Sequence, residues 1–184
     1  MNKSVKISLI LLIILLLLSA AGLLFLRSVK RSGLPDYNAE IQLEGLKEEV
    51  KVYRDDFGIP HIFAENESDL YLVTGYITAQ DRFWQMDFLR RVTQGRLSEI
   101  LPGDWVETDV ILRSLRIQDK SEIIFNEAAT EIKEALQAFS DGINLYLKDH
   151  KDDLSFEFTI FGYEPEEWSP VHSLNLIGYM AWDL

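Results

Sequence analysis

The sequence contains no cysteine and only three histidines, His61, His150 and His172. Without thiols there is no disulfide scaffold, no thiolate zinc site and no cysteine nucleophile. Three scattered histidines do not make a His-only metal site. Positive charge is also scarce: 18 Lys and Arg stand against 30 Asp and Glu, a formal net charge of -12. That sign is wrong for a protein that displaces counterions from nucleic-acid phosphates. Several signatures are missing outright: no G-x-S-x-G elbow, no G-x-G-x-x-G turn, no P-loop and no H-E-x-x-H. Disorder is excluded too, because 47% of the 184 residues are hydrophobic, enough to build a core.

Acidic residues are absent from one stretch in particular. Residues 1–32 hold five basic groups (Lys3, Lys6, Arg27, Lys30 and Arg31) and no carboxylate. Within them, Ile7 to Leu26 carry no charge. As a helix these 20 residues reach about 30 Å, the thickness of a bilayer's hydrocarbon core. The expectation is a signal anchor or transmembrane segment over 1–32. Ser19-Ala20-Ala21 offers a cleavage site that would turn the anchor into a signal peptide. The domain is then expected outside the cytoplasm, anchored or secreted. Residues 33–47 read as a linker, with Ser32-Gly33-Leu34-Pro35-Asp36 rich in turn formers. Residues 48–184 read as the domain.

Val50 to Arg54 alternate and are β-branched, so they predict a strand. Asp55-Asp56-Phe57-Gly58 is a turn, and Ile59 to Ala64 the return strand, with Pro60 at its start or on an edge. Ser68 is a candidate N-cap for a helix reaching about Arg91. Leu97, Ile100 and Leu101 suggest a short helical turn, and another helix starts near Thr108. A long helix is predicted from about Glu122 to Lys148, where Ile132, Ala135, Leu136, Phe139, Ile143 and Leu147 follow helical spacing. Gly142 inside it costs about 1 kcal/mol against Ala, which predicts a close packing contact there. Ser155 to Phe161 alternate and read as a strand or extended stretch. Ser169-Pro170 opens the last helix, with Pro at its preferred first position. Nothing before Leu184 closes that helix, so the domain is expected to be truncated at its C-terminus. The overall class is α+β.

Few residues volunteer for chemistry. The carboxylates fall mostly at solvent-facing helical spacings. His61 reads as structural, and His150 and His172 as solvated. Asp81-Arg82 and Asp87-Arg90-Arg91 are spaced for ion pairs along one helix.

The residues themselves point further. Val52-Tyr53-Arg54-Asp55-Asp56-Phe57-Gly58-Ile59-Pro60-His61-Ile62 resembles the opening of the penicillin acylase family. So does Gly75-Tyr76-Ile77-Thr78-Ala79-Gln80-Asp81-Arg82-Phe83-Trp84-Gln85-Met86-Asp87, followed by Arg90-Arg91 and Gly95-Arg96-Leu97-Ser98-Glu99. Asp141-Gly142-Ile143-Asn144, Glu157-Phe158, Gly162, Pro165 and Trp168-Ser169-Pro170 then follow in the family's order. The resemblance implies part of an Ntn-hydrolase αββα assembly, here the helix-rich α-chain with its N-terminal β-hairpin.

It also implies an amidohydrolase that cleaves the linear amide of N-acyl compounds, such as β-lactam antibiotics or acyl-homoserine lactones. In such enzymes the nucleophile is the N-terminal Ser of a separate β-chain, its α-amino group is the base, and the oxyanion donors also come from the β-chain. None of these is expected in the present chain, so no catalytic residue is assigned and the chain is expected to be inactive alone. Calcium is expected in the complete enzyme, with its Glu ligand beyond Leu184. The partners implied are the β-chain, a small N-acyl substrate and, through Ile7–Leu26, a membrane.

Substrate-pocket positions fall on Met180, Asp183 and Leu184, where penicillin G acylases resemble Met-Ala-Asn-Arg-Phe. Leu184 in place of Phe favours an aliphatic acyl chain. Asp183 in place of Arg repels an anionic leaving group by about 1 kcal/mol at ~8 Å and an effective dielectric of ~40. Two readings from other classes stay open at this point: a membrane-anchored interaction domain without catalysis, and a structural subunit.

Overall fold

A computed structural model describes residues 3–31 and 37–183, with side chains at 6, 7, 9–25, 27 and 37–182. The chain divides into two units, Met1–Leu34 and Pro35–Leu184.

The described part of the first unit is helix α1 (Lys3–Arg31), with its described Leu and Ile side chains exposed. Among the described residues no helix is long and apolar enough to cross a membrane. The expected transmembrane or signal helix therefore has no support there.

The second unit opens with a stretch that packs before it pairs. Leu43, Leu46 and Val50 lie against the main core, although residues up to 47 read as a linker. The hairpin follows the sequence expectation closely. Strand β1 (Lys51–Arg54) pairs antiparallel with β2 (Pro60–Phe63), Tyr53 opposite His61 and Arg54 opposite Pro60. Gly58, at φ 78°, takes the left-handed turn position that suits a residue without Cβ.

Helix α2 (Glu67–Gln94) is capped by Asn66, not by Ser68. The Asn66 carboxamide oxygen accepts the Asp69 N–H at 3.0 Å, the usual reach of an N-cap to the third helical residue. The helix runs three residues past Arg91 and stops at Gly95, whose left-handed conformation lets its N–H reach Arg91 and Val92 carbonyls. It bends at Arg82 (φ -153°, ψ 31°).

After a short 3-10 turn (Leu97–Glu99) come α3 (Val106–Ser114), α4 (Ile117–Glu127), α5 (Thr130–Asp149), α6 (Phe156–Phe161) and α7 (Pro170–Asp183). Two expectations fail here. The helix predicted over Glu122–Lys148 is two helices, because Ala128 and Ala129 are extended. The break lets α4 pack on α7 while α5 packs on α2, which a straight rod does not allow. Phe156–Phe161 is helical where a strand or extended stretch was expected over Ser155–Phe161. The only sheet among the described residues is the two-stranded hairpin, so a strand here lacks a partner. Phe158 instead points inward, against Phe83 and Tyr163.

Helices α2 and α5 cross at two glycines. A Cβ on Gly75 would stand 2.0 Å from the Phe139 carbonyl oxygen, and one on Gly142 would stand 1.9 Å from that of Leu72. The close contact expected at Gly142 is thus a backbone-to-backbone crossing. Around it lies the core: Leu72, Val73, Tyr76, Ile77 and Phe83 of α2, with Ile143 and Tyr146 of α5, Phe158 and Trp168. A smaller cluster of Val92, Leu97 and Leu112 holds Tyr179 of α7.

Candidate functional site

Helix α7 is the element on which the sequence reading placed a site, and its start is heavily anchored. Pro170 occupies the first helical position as expected. The Ser169 N–H donates to His172 Nδ1 at 3.0 Å, so that nitrogen is an acceptor and the ring is neutral. Burial, helped by the Arg90 charge, pushes the His172 imidazole down to about 4. His172 is therefore not the solvated group expected. His150 is not free either: it stacks on Tyr146 at 4.3 Å between ring centroids.

One residue before Ser169, Trp168 is bracketed. Its N–H donates to Asn144 Oδ1 at 2.7 Å, and its carbonyl accepts from Asn144 Nδ2 at 2.9 Å. Its indole N–H donates to Ser173 Oγ at 3.0 Å. From α2, the fully buried Arg90 guanidinium donates to the Glu166 and Glu167 carbonyls, each at 3.1 Å, and to the Asp87 carboxylate. Asp87 also accepts from Arg91 Nε at 3.2 Å, and Arg91 reaches Glu99 at 2.9 Å. Arg96 closes the network by pairing with Glu99 and Glu166. Its hydrogen bond holds the Glu166 carboxyl down to about 2.

The spacing Asp87-Arg90-Arg91 did predict ion pairs. The burial was not predicted. Asp69 and Asp109 are buried as well, contrary to a solvated reading. Asp69 accepts the Lys47 and Glu48 N–H groups. Asp109 accepts the Leu97 and Ser98 N–H groups and the Ser98 hydroxyl. Burial raises both carboxyls, and the donated hydrogen bonds outweigh it, so both titrate below the ordinary range.

The hairpin carries a second hub. Arg54 donates to both oxygens of Asp81 at 3.0 and 2.8 Å, to Gln80 and to the Gly58 carbonyl, and lies 4.1 Å over the Tyr37 ring. Asp81 thus pairs across to Arg54. Asp55 accepts the Phe57 and Ile59 N–H groups at 2.9 Å each, and His61 Nε2 lies 3.4 Å from its other oxygen. His61 thus has a carboxylate partner.

At the far end of α7, Met180 is 59% exposed and Ile177, three residues earlier, 63% exposed. Helical spacing puts them on one face. Of the three expected pocket residues only Met180 is placed. The Asp183 side chain and Leu184 lie outside the described residues. Among the described residues no group of three or more His, Cys, Asp or Glu can hold a metal ion. Sequence reasoning missed Asn175, fully buried with neither amide atom partnered among the described residues. The signal was a lone amide in the apolar run Leu174-Asn175-Leu176-Ile177.

The model of the family described as penicillin amidase matches residues 49–184. The chain belongs to that family. It is 36% identical over 151 residues to a penicillin acylase 2 proenzyme of Pseudomonas sp. (strain SE83), covering 82% of this chain and 19% of that protein. It is 32% identical over 142 residues to the acyl-homoserine lactone acylase QuiP of Pseudomonas syringae pv. syringae (strain B728a), covering 77% of this chain and 17% of that one. It is 33% identical over 138 residues to the penicillin G acylase of Escherichia coli, covering 72% and 16%. Among solved structures, a thermostable penicillin G acylase from Alcaligenes faecalis superposes with a TM-score of 0.68 at 29% identity, covering 74% of each chain. The helix-rich body with its small hairpin is thus a fold of this family. The chain spans less than a fifth of the length of these curated relatives.

Proposed function

We propose that this chain is the α-chain part of a penicillin-acylase-like amidohydrolase that cleaves the linear amide bond of N-acyl compounds. The observation that carries the reading is the family match over residues 49–184, joined to a superposition on a penicillin G acylase. In this reading the chain supplies one wall of the acyl pocket through Met180, Asp183 and Leu184. The β-chain of the same precursor supplies the N-terminal Ser nucleophile, its α-amino base and the oxyanion donors. Calcium belongs to the complete enzyme. On α3 the exposed Val106 and Val110, four residues apart and so on one face, offer apolar surface to a partner chain.

The names of the relatives cover two substrate groups, penicillins and acyl-homoserine lactones. Leu184 and Asp183 favour the second, an aliphatic acyl chain on a neutral leaving group. A membrane anchor, with the domain outside the cytoplasm, rests on the uncharged run Ile7–Leu26 between Lys6 and Arg27. Extraction of membranes with alkaline carbonate tests it: release of the chain into the supernatant rejects an anchor.

The deciding experiment assembles the chain with its β-chain and follows release of free amine from an N-acyl-homoserine lactone and from penicillin G. Turnover by the assembly and none by the chain alone is expected. An assembly inert toward both compounds overturns the reading, and turnover by the chain alone overturns the assignment of the nucleophile to the β-chain.

A further inference from the structure

We propose that Asn144 is a positioning residue for acyl specificity: its two-way bracket on Trp168 sets the height of α7 along α5, and with it the place of Met180 in the acyl pocket. The inference rests on the pocket assignment made above. Two motifs singled out in the sequence, Asp141-Gly142-Ile143-Asn144 and Trp168-Ser169-Pro170, had no role of their own. The structure joins them, because the Asn144 carboxamide takes the Trp168 N–H at 2.7 Å and gives its own N–H to the Trp168 carbonyl at 2.9 Å.

A carboxamide that both donates and accepts on one residue's backbone mimics a strand partner and defines position in two directions. Its foundation is stiff. Gly142, two residues earlier, presses α5 against the backbone of α2, so Asn144 cannot slide without breaking that crossing. Its target is stiff as well: Arg90 fixes the carbonyls of Glu166 and Glu167, and the Trp168 indole is tied forward to Ser173 in the first turn of α7. Met180 lies ten residues beyond Pro170, where α7 starts, about 15 Å along the helix. A small tilt or slip at the start is therefore carried to the pocket end. The Met180 side chain is exposed, so its place follows from where the helix sits: Tyr179 beside it leans on the smaller cluster, and the bracket sets the other end.

A residue that only stabilises the fold changes how much enzyme is active, and all substrates suffer alike. A positioning residue changes their ratio. The test uses the assembled acylase with the 4-nitroanilides of butanoic, octanoic and phenylacetic acids. Asn144→Ala removes both hydrogen bonds, and Asn144→Asp keeps only the acceptor. Gln137→Ala, which removes an exposed contact with Asp141 on the same helix, is the control. Asn144→Ala is expected to shift the octanoyl-to-butanoyl ratio of kcat/KM at least threefold, Asn144→Asp less, and Gln137→Ala not at all. A ratio unchanged by Asn144→Ala overturns the proposal, however much total activity falls.

A second measurement covers poor assembly of the variants. Hydrogen exchange of the amides at 174–182 in the full chain should quicken at least tenfold in Asn144→Asp, while α2 amides hold their protection. Unchanged protection in α7 overturns the proposal. An unsubstituted assembly that turns over none of the three anilides overturns the acylase reading itself, and the pocket role of Asn144 with it.

Discussion

Helix α2 is two helices in character, divided at Arg82. Before the bend it meets α5 through bare backbone at Gly75 and Gly142, with Tyr76 edge-on to Tyr146 at 5.6 Å. After the bend it buries Asp87, Arg90 and Arg91. One half is held by the absence of side chains and the other by charges that pair with one another, with Glu99 and with the Glu166 and Glu167 carbonyls. The first kind of contact fails sterically, at once. The second fails electrostatically, and how badly depends on which partner is removed and at what pH.

The crossing should be the most sensitive point. Gly142→Ala drives a methyl group into the Leu72 carbonyl, with its Cβ 1.9 Å from that oxygen, and neither backbone can yield without separating the helices. The expected loss is about 4 kcal/mol or more, the range reserved for core disruption. The urea midpoint followed by tryptophan fluorescence measures it. A loss under about 1 kcal/mol would mean that the two helices do not cross at these glycines.

On the charged side, Asp87→Ala leaves Arg90 and Arg91 buried without their shared anion. Breaking a buried pair in this way costs about 3–5 kcal/mol. Glu99→Ala removes a half-exposed partner of the same Arg91 and should cost under about 1 kcal/mol. The contrast between these two variants in one urea series is the sharper test. Equal losses would show that the network acts through net charge and not through burial.

Legibility in the sequence divides along the same line. The hairpin, α2 and the opening of α7 were readable, because alternation, helical spacing and Ser-Pro are local signals. So was the Gly142 contact, since a glycine inside a helix asks for a reason. The split of Glu122–Lys148 was not. Ala128 and Ala129 are good helix formers, and only the separate demands of α7 and α2 pull the chain apart there. The burial of the carboxylates was equally silent. Asp87 and Asp109 look like any surface acid until the groups they serve are known, and the loop that Arg90 fixes lies 76 residues further on. At the candidate site, the positions of Met180, Asp183 and Leu184 came from resemblance. The machinery that holds α7 in place is visible only in the fold.

Acidification should separate the two kinds of contact without any substitution. His172 titrates at about 4 in the folded chain against an ordinary 6.5. The unfolded chain therefore binds more protons between those values, and stability rises with pH across the window. On going down, this contribution is lost from about pH 6.5 to 4. At most about 3 kcal/mol is at stake, from 1.36 kcal/mol per unit. The lowered carboxyls act next: their contribution is complete above about 4.5 and is lost as pH falls, toward about 2 for Glu166. His172→Gln should flatten the upper part of a plot of urea midpoint against pH and leave the lower part. A profile unchanged between pH 6.5 and 4 would remove His172 from the account. Gly142→Ala should lower the whole curve without reshaping it.

The smallest effect belongs to the corner between α3 and α4, where charge lies at the surface. Arg116 has φ 54° and ψ 38°, the left-handed region, which costs a residue with an ordinary side chain about 1–2 kcal/mol. Against that, its Nε meets Asp119 at 2.7 Å, with both side chains mostly exposed, a pair worth roughly 0.2–1 kcal/mol. Arg116→Gly relieves the backbone but frees the unfolded chain by about 0.4–1 kcal/mol and drops the ion pair, so it should come out near neutral. Arg116→Asn tolerates the same φ and ψ with less unfolded-state freedom than Gly and is expected to gain about 0.5 kcal/mol. Arg116→Ile loses the ion pair and forces a β-branched side chain into the left-handed region, so a loss of about 1 kcal/mol or more is expected. The order Asn, Gly, Arg, Ile in urea midpoint would show that backbone geometry outweighs a surface charge pair here, as burial outweighs charge count at Asp87. If Arg proves the most stable of the four, the ion pair dominates at this corner, and the line drawn between buried and exposed charge has to be moved.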